Sequence, residues 1–170
     1  KSLGGFVHAP LDSSTLGGML NLAFADIRRN LLLQDGTAKG TLRSHGSAYS
    51  AFAVVFDVNN VTPGVYYYSI ENHELIRVRM GQFREEVAVI VGGQPDPRHA
   101  NLTVILVADS RRYGWLYRHE RALRNLLIDA GVIAGRTLIA SAAYGLQAGI
   151  TPLHDDAAFR TLLKLDPDYL

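Results

Sequence analysis

The chain has 170 residues, 48% hydrophobic and 19% charged, with a formal net charge of +1. That length suits one domain, residues 1–170, because two halves would each have too little core to stand alone. The composition is that of a folded globule, and so small a charge gives no field favouring nucleic acid or an acidic membrane surface. Cysteine is absent, which excludes disulfides, thiolate metal sites and cysteine nucleophiles and makes the cytoplasm the default expectation.

No uninterrupted apolar run approaches the roughly 18 to 20 residues that cross a bilayer, so no membrane partner is expected. The opening, Lys1-Ser2-Leu3-Gly4-Gly5, has neither an initiator methionine nor the layout of a signal peptide. It reads as a processed piece, or as a domain of something longer. The close, Asp166-Pro167-Asp168-Tyr169-Leu170, stops where a further segment would be natural.

Asp12-Ser13-Ser14 offers N-cap chemistry, and Leu16, Met19, Leu20 and Ala23 follow at helical spacing, which predicts a helix over residues 11–24. Residues 34–40, with two glycines and few apolar anchors, have loop composition and read as the most mobile stretch. The β-branched run at 53–58 predicts a strand bounded by Asn59-Asn60. Residues 64–69 and 75–79 flank Glu71-Asn72-His73 as a β-hairpin. Arg77 and Arg79 read as its solvated face.

A short helix is expected over 83–90 and a buried strand over 101–107. The longest helical pattern runs from about residue 120 to 144, with Leu123, Leu126, Leu127, Ala130, Ile133, Leu138 and Ala142 on one broad face. Gly131 and Gly135 inside it each cost about 1 kcal/mol against alanine, which suggests close packing against a backbone or a ligand. Gly145 ends the helix. A short extended piece reaches Thr151, and Asp155-Asp156 open a last helix through Leu163, where negative charge complements the dipole. The element order suggests an α+β fold.

Dinucleotide, P-loop, zincin and nucleophile-elbow motifs are all absent, and the scattered histidines give no helical metal pair, so no metal is expected. Arg43-Ser44-His45-Gly46-Ser47-Ala48-Tyr49 is either a polar loop or a place where bare backbone and hydroxyls meet a flat ligand. Arg118, Arg121 and Arg124 recur every third residue, as a basic strip or as a solvated helix face.

Taken in order, several segments resemble the azoline dehydrogenases, the SagB type within the nitroreductase-like superfamily. Residues 117–124 with 127–131 resemble the family's "KYxxRxYR…LxEaG" helix, and 138–146 its "LxLAAxxLGL" ending. Asp155-Asp156 and 162–166 resemble its "DD…LLxLD" tail. Pro63 to Tyr68 and His73-Glu74-Leu75 are similar to its hairpin, and residues 43–50 stand where the family has "YPSGGALYP".

The resemblance implies the nitroreductase-like fold: a central, mostly antiparallel sheet with helices on both faces, in an intertwined homodimer that shares FMN. It implies Lys1 and Ser2 at the phosphate, Ser44 and Gly46 facing the flavin, and Pro152 and Leu153 by the reactive edge of the ring. Tyr117, with Arg118 as its electrostatic aid, is implied as the acid/base group. The implied reaction is oxidation of a thiazoline or oxazoline ring in a peptide or carrier-bound substrate, beside a biosynthetic synthetase partner.

Departures bear on that chemistry. The family's Lys-Tyr pair falls on Tyr117 and Arg118, or on Leu116 and Tyr117 after a shift of one, so the lysine has no counterpart. Pro152 stands where a backbone N–H is usual, and proline has none. Two alternatives therefore stay open: an NAD(P)H-dependent nitro or enone reductase, and a flavin-free pseudo-enzyme that keeps the fold for dimerisation or docking.

Overall fold

The computed structural model of the chain describes residues 8–33, 48–93, 97–118, 121–152 and 154–165. Four strands form an antiparallel sheet: β1 (Tyr49–Val55), β2 (Gly64–Ser69), β3 (Glu74–Met80) and β4 (Leu102–Ala108), in the order β3-β2-β1-β4. Because β1 is central, both of its faces are covered, and this explains an apolar run with no polar alternation. Its register sets Ala51 opposite Tyr68 and Leu106, and Ala53 opposite Tyr66 and Val104.

Ala51, Ala53 and Val55 of β1, with Tyr66 and Tyr68 of β2, face one core; Phe52, Val54 and Val65 face the other. Over the first lie α1 (Ser13–Leu33) and α4 (Ala122–Ala143), with α3 (Ser110–Leu116) packed on α4. Against the second lie α2 (Arg84–Ile90) and α5 (Asp156–Leu163). The expected antiparallel sheet with helices on both faces is thus what the chain forms.

The first helix runs nine residues past its expected end. Leu16, Leu20, Phe24 and Ile27, all fully buried, continue the apolar stripe, and Asp26 binds Arg29 at 2.9 Å and also Arg136 of α4. Near the start of this helix, a Cβ at Gly18 would lie 2.6 Å from the Tyr144 ring carbon Cζ. Glycine at that point lets the end of α4 lie across α1. Asp12, expected as a capping residue, accepts instead from the Asn59 side-chain amide at 2.8 Å.

Other expectations need correction. Between Val65 and Tyr66 the hairpin register slips, so Arg79 stands opposite Val65 and Arg77 opposite Tyr66. A bulge adds a residue to one strand and turns its neighbours apart. Arg77 is exposed, whereas Arg79 donates to the Leu162 carbonyl at 3.1 Å and lies 4.6 Å over the Phe83 ring. Only Arg77 is a solvated face.

Short α3 was not anticipated as a helix of its own; Asp109 caps it by accepting from the Arg112 N–H at 2.8 Å. No strand forms between α4 and α5, where the chain crosses to the second core and Asp155 N–H donates to the Ile90 carbonyl. Asp155 does cap α5, as expected, through the Ala158 N–H at 3.1 Å. The stretch expected to be mobile, 34–40, lies outside the described residues.

α4 also revises the reading of apolar length, because as one continuous helix it is long and apolar enough to cross a bilayer. Buried Asp129 and the Arg136–Asp26 pair sit inside its span. Charges fixed against the chain's own core argue that its apolar outer face meets protein.

Candidate functional site

Where α3 gives way to α4, three tyrosines converge on one carboxylate. Tyr117 is the C-cap of α3, and its N–H donates to the Tyr113 carbonyl at 2.9 Å. Its ring lies 4.7 Å from that of Tyr113, tilted by 36°. Tyr113 is buried, as is Tyr49, the first residue of β1, whose hydroxyl donates to the Leu126 carbonyl. One turn further along α4, Asp129 is only 2% exposed. An ionised carboxylate so buried can only accept hydrogen bonds, and its charge reaches the Tyr49 and Tyr117 phenols.

Electrostatics follow from this packing. Burial raises the Tyr117 phenol above its ordinary value of 10, and the Asp129 charge raises it further. Tyr49 is pushed up more strongly by burial, and then by Asp129 and Tyr113. Both effects disfavour a phenolate. Tyr117 therefore stays protonated at neutral pH, able to donate a hydrogen bond or a proton but not to act as a resting base. The charge that raises it is that of Asp129.

Arg118 is exposed on the segment leading to α4 and neighbours Tyr117 in sequence only. It lies outside the helix that carries Arg124, with Arg121 at that helix's N-cap, so the three arginines are not one helical strip. Pro152 is exposed on the segment that crosses from α4 to α5, so it leads away from the Tyr117 side of the sheet. The other implied flavin residues, Lys1, Ser2, Ser44, Gly46 and Leu153, lie outside the described residues. Sequence reasoning overlooked Asp129, Tyr113 and Tyr49 as a group. The available signal was a lone carboxylate on the apolar stripe of Leu126, Ala130 and Ile133.

The outer side of α4 bears on whether a flavin fits. Leu123, Leu127, Ile128 and Ile139 are 57–70% exposed, and Cβ atoms built at Gly131 and Gly135 would meet nothing within 4 Å. Among the described residues the glycines pack against no other backbone, and they leave bare helix outward. An apolar wall with bare backbone is compatible with a flat ring, while Tyr117 and the Asp129 carboxylate pack toward the core.

Asn30, near the end of α1, has its side-chain amide nitrogen and oxygen buried without a partner among the described residues. Two open pockets among the described residues are poorer places for the cofactor. One, of about 410 Å³, is lined by Phe56, Gln82, Asp57 and Arg84, whose guanidinium is already held by the Pro97, Arg98 and Ala100 carbonyls. The other, between α1 and the hairpin, measures about 200 Å³, below the ~300 Å³ at which ligand pockets begin.

Comparison with known proteins gives the fold a context. No protein-family profile matches the chain. It is 32% identical over 127 residues to the trifolitoxin operon protein TfxC of Rhizobium leguminosarum bv. trifolii, a match covering 72% of this chain and 36% of that protein. It superposes with a TM-score of 0.81, at 22% identity, on a protein from Anabaena variabilis assigned as a nitroreductase, covering 98% of this chain and 33% of that one. A second structure, the E. coli microcin synthetase McbBCD complex with truncated pro-MccB17 bound, gives a TM-score of 0.72 at 17% identity over 92% of this chain and 59% of its own. The chain thus spans about a third of the length of the curated relative it matches.

Proposed function

Because the chain has the nitroreductase-like fold and resembles the SagB type, we propose that it is the FMN-dependent oxidoreductase part of a machinery that matures a peptide natural product. Its substrate class is a thiazoline or oxazoline ring in a peptide, which it dehydrogenates to the aromatic azole. The observation that carries this reading is Tyr117, a phenol whose pKa is raised by burial and by the Asp129 charge at the junction of α3 and α4. Kinship with a trifolitoxin operon protein supports the peptide context.

Bound FMN would supply a two-electron acceptor for the hydride that ring oxidation releases. The chain's own residues would do the rest. Lys1 and Ser2 would hold the phosphate, and Ser44, Gly46 and Leu153 would line the ring. Pro152, having no N–H, would contribute only a packing surface. The Tyr117 hydroxyl would donate to the ring heteroatom, where charge gathers as the carbon proton passes to a base from solution, and Arg118 would add positive potential. A second copy packed on α4 would exclude water, and a synthetase partner would deliver the substrate.

Pro152 and the missing lysine favour one second reading, a flavin-free subunit that kept the fold for docking. An absorption spectrum of the purified protein separates the two. Bands near 370 and 450 nm, roughly those of any bound oxidised flavin, are expected. Their absence, even after incubation with excess FMN, leaves the flavin-free reading standing and removes the oxidoreductase.

A further inference from the structure

The surface around α3 and the first turn of α4 is unlike the rest of the chain. Residues 111–124 contain five arginines against one glutamate, in a chain whose total formal charge is only +1, so the remaining residues are net negative. Arg111, Arg112, Arg121 and Arg124 are exposed, and none makes an ion pair among the described residues. Trp115, the single tryptophan of the sequence, stands among them 70% exposed. Arg111 and Trp115, four apart on α3, share a helix face, as do Arg121 and Arg124, three apart on α4.

Unpaired arginines are costly to crowd together, and a large exposed indole is a frequent anchor of protein interfaces. We propose that this surface docks an acidic peptide segment that also carries apolar side chains, its carboxylates meeting the guanidinium groups and its apolar residues meeting Trp115. Arginine binds carboxylates through paired N–H donors and stacks on aromatic rings. Local charge favours a short segment over a nucleic acid or an anionic membrane. An extended polyanion would also reach the net-negative remainder of the surface and be repelled by it. The inference goes beyond the proposed reaction and does not depend on bound flavin.

The test follows tryptophan emission of the full-length protein while it is titrated with a synthetic peptide of repeated Glu-Glu-Leu-Leu units. Trp115→Phe identifies the share of the signal that comes from this site. A saturable change is expected. It should weaken about tenfold or more in the Arg121→Glu, Arg124→Glu double variant, and again when salt rises from about 0.05 to 0.5 M, as exposed charge pairs require. Circular dichroism reports whether that variant is folded; if it is not, Arg111→Ala with Arg112→Ala must show the weakening. The flavin spectrum, read in the same samples, should not change, which keeps this test separate from that of the cofactor. Equal binding of a Lys-Lys-Leu-Leu peptide, tighter binding of phosphatidylserine vesicles or of a single-stranded oligonucleotide, or no change in Trp115 emission overturns the proposal.

Discussion

Tyr117 and Asp129 come from different helices, and the Asp129 charge acts on the half-buried phenol. Loss of the phenol in Tyr117→Phe should leave the flavin spectrum intact and lower turnover by roughly 10²- to 10⁴-fold, the usual worth of a positioned proton donor. Normal turnover per folded molecule would make Tyr117 structural. In Asp129→Asn the charge that raises Tyr117 and Tyr49 is gone, so phenol ionisation followed by near-ultraviolet absorbance should begin at lower pH; an unmoved titration would show that Asp129 does not act on them. Tyr68 gives a pH prediction of its own. Its hydroxyl bonds His73 Nδ1 at 2.7 Å, and burial pushes it from 10.0 up to about 12. A phenol whose folded pKa is raised contributes stability in full below its unfolded value and loses it as pH climbs toward the folded one. Denaturant midpoints should therefore fall between pH 10 and about 12, and fall less steeply in Tyr68→Phe. Identical slopes in the two proteins would count against this.

Among the elements, α4 carries a contradiction that one experiment can read from two sides. Glycine inside a helix costs about 1 kcal/mol against alanine, and among the described residues nothing lies near a Cβ at Gly131 or Gly135. For a lone chain, Gly131→Ala and Gly135→Ala should each stabilise by about that amount. Should a second copy lie closely on this face, the added methyls would push it away. The expectation is a higher helix content together with weaker association in sedimentation equilibrium. Stabilisation with unchanged association would mean that the glycines are not at an interface.

On the scale of the whole molecule, the exposed stripe of Leu123, Leu127, Ile128 and Ile139 is too apolar to stay in water without a partner. Light scattering of the protein should find a dimer at micromolar concentration. Leu127→Glu with Ile139→Glu should disperse it and, because the cofactor is proposed to lie between copies, release FMN at the same time. A dispersed monomer that keeps its flavin bands would remove the shared site while leaving the fold untouched.

Much of the architecture was legible from local pattern alone. The spacing of Leu16, Met19, Leu20 and Ala23, the last three residues of β1 (its start at Tyr49 and end at Val55 were not foreseen), the hairpin around His73 and the Asp155 cap all depend on neighbours a few residues away, and short-range sterics and hydrogen bonds decide them. What sequence could not supply were effects of residues far apart in the chain. Arg79 turned inward because a register slip between β2 and β3 aimed it at α5. The first helix lengthened because Asp26 found Arg136, 110 positions later. Asp129 became a buried charge among Tyr49, Tyr113 and Tyr117 only when the sheet, α3 and α4 closed on one another. Periodicity records which face of an element is apolar; the surroundings of a charge on that face are set by elements that meet it in space, and these the tertiary structure alone brings together.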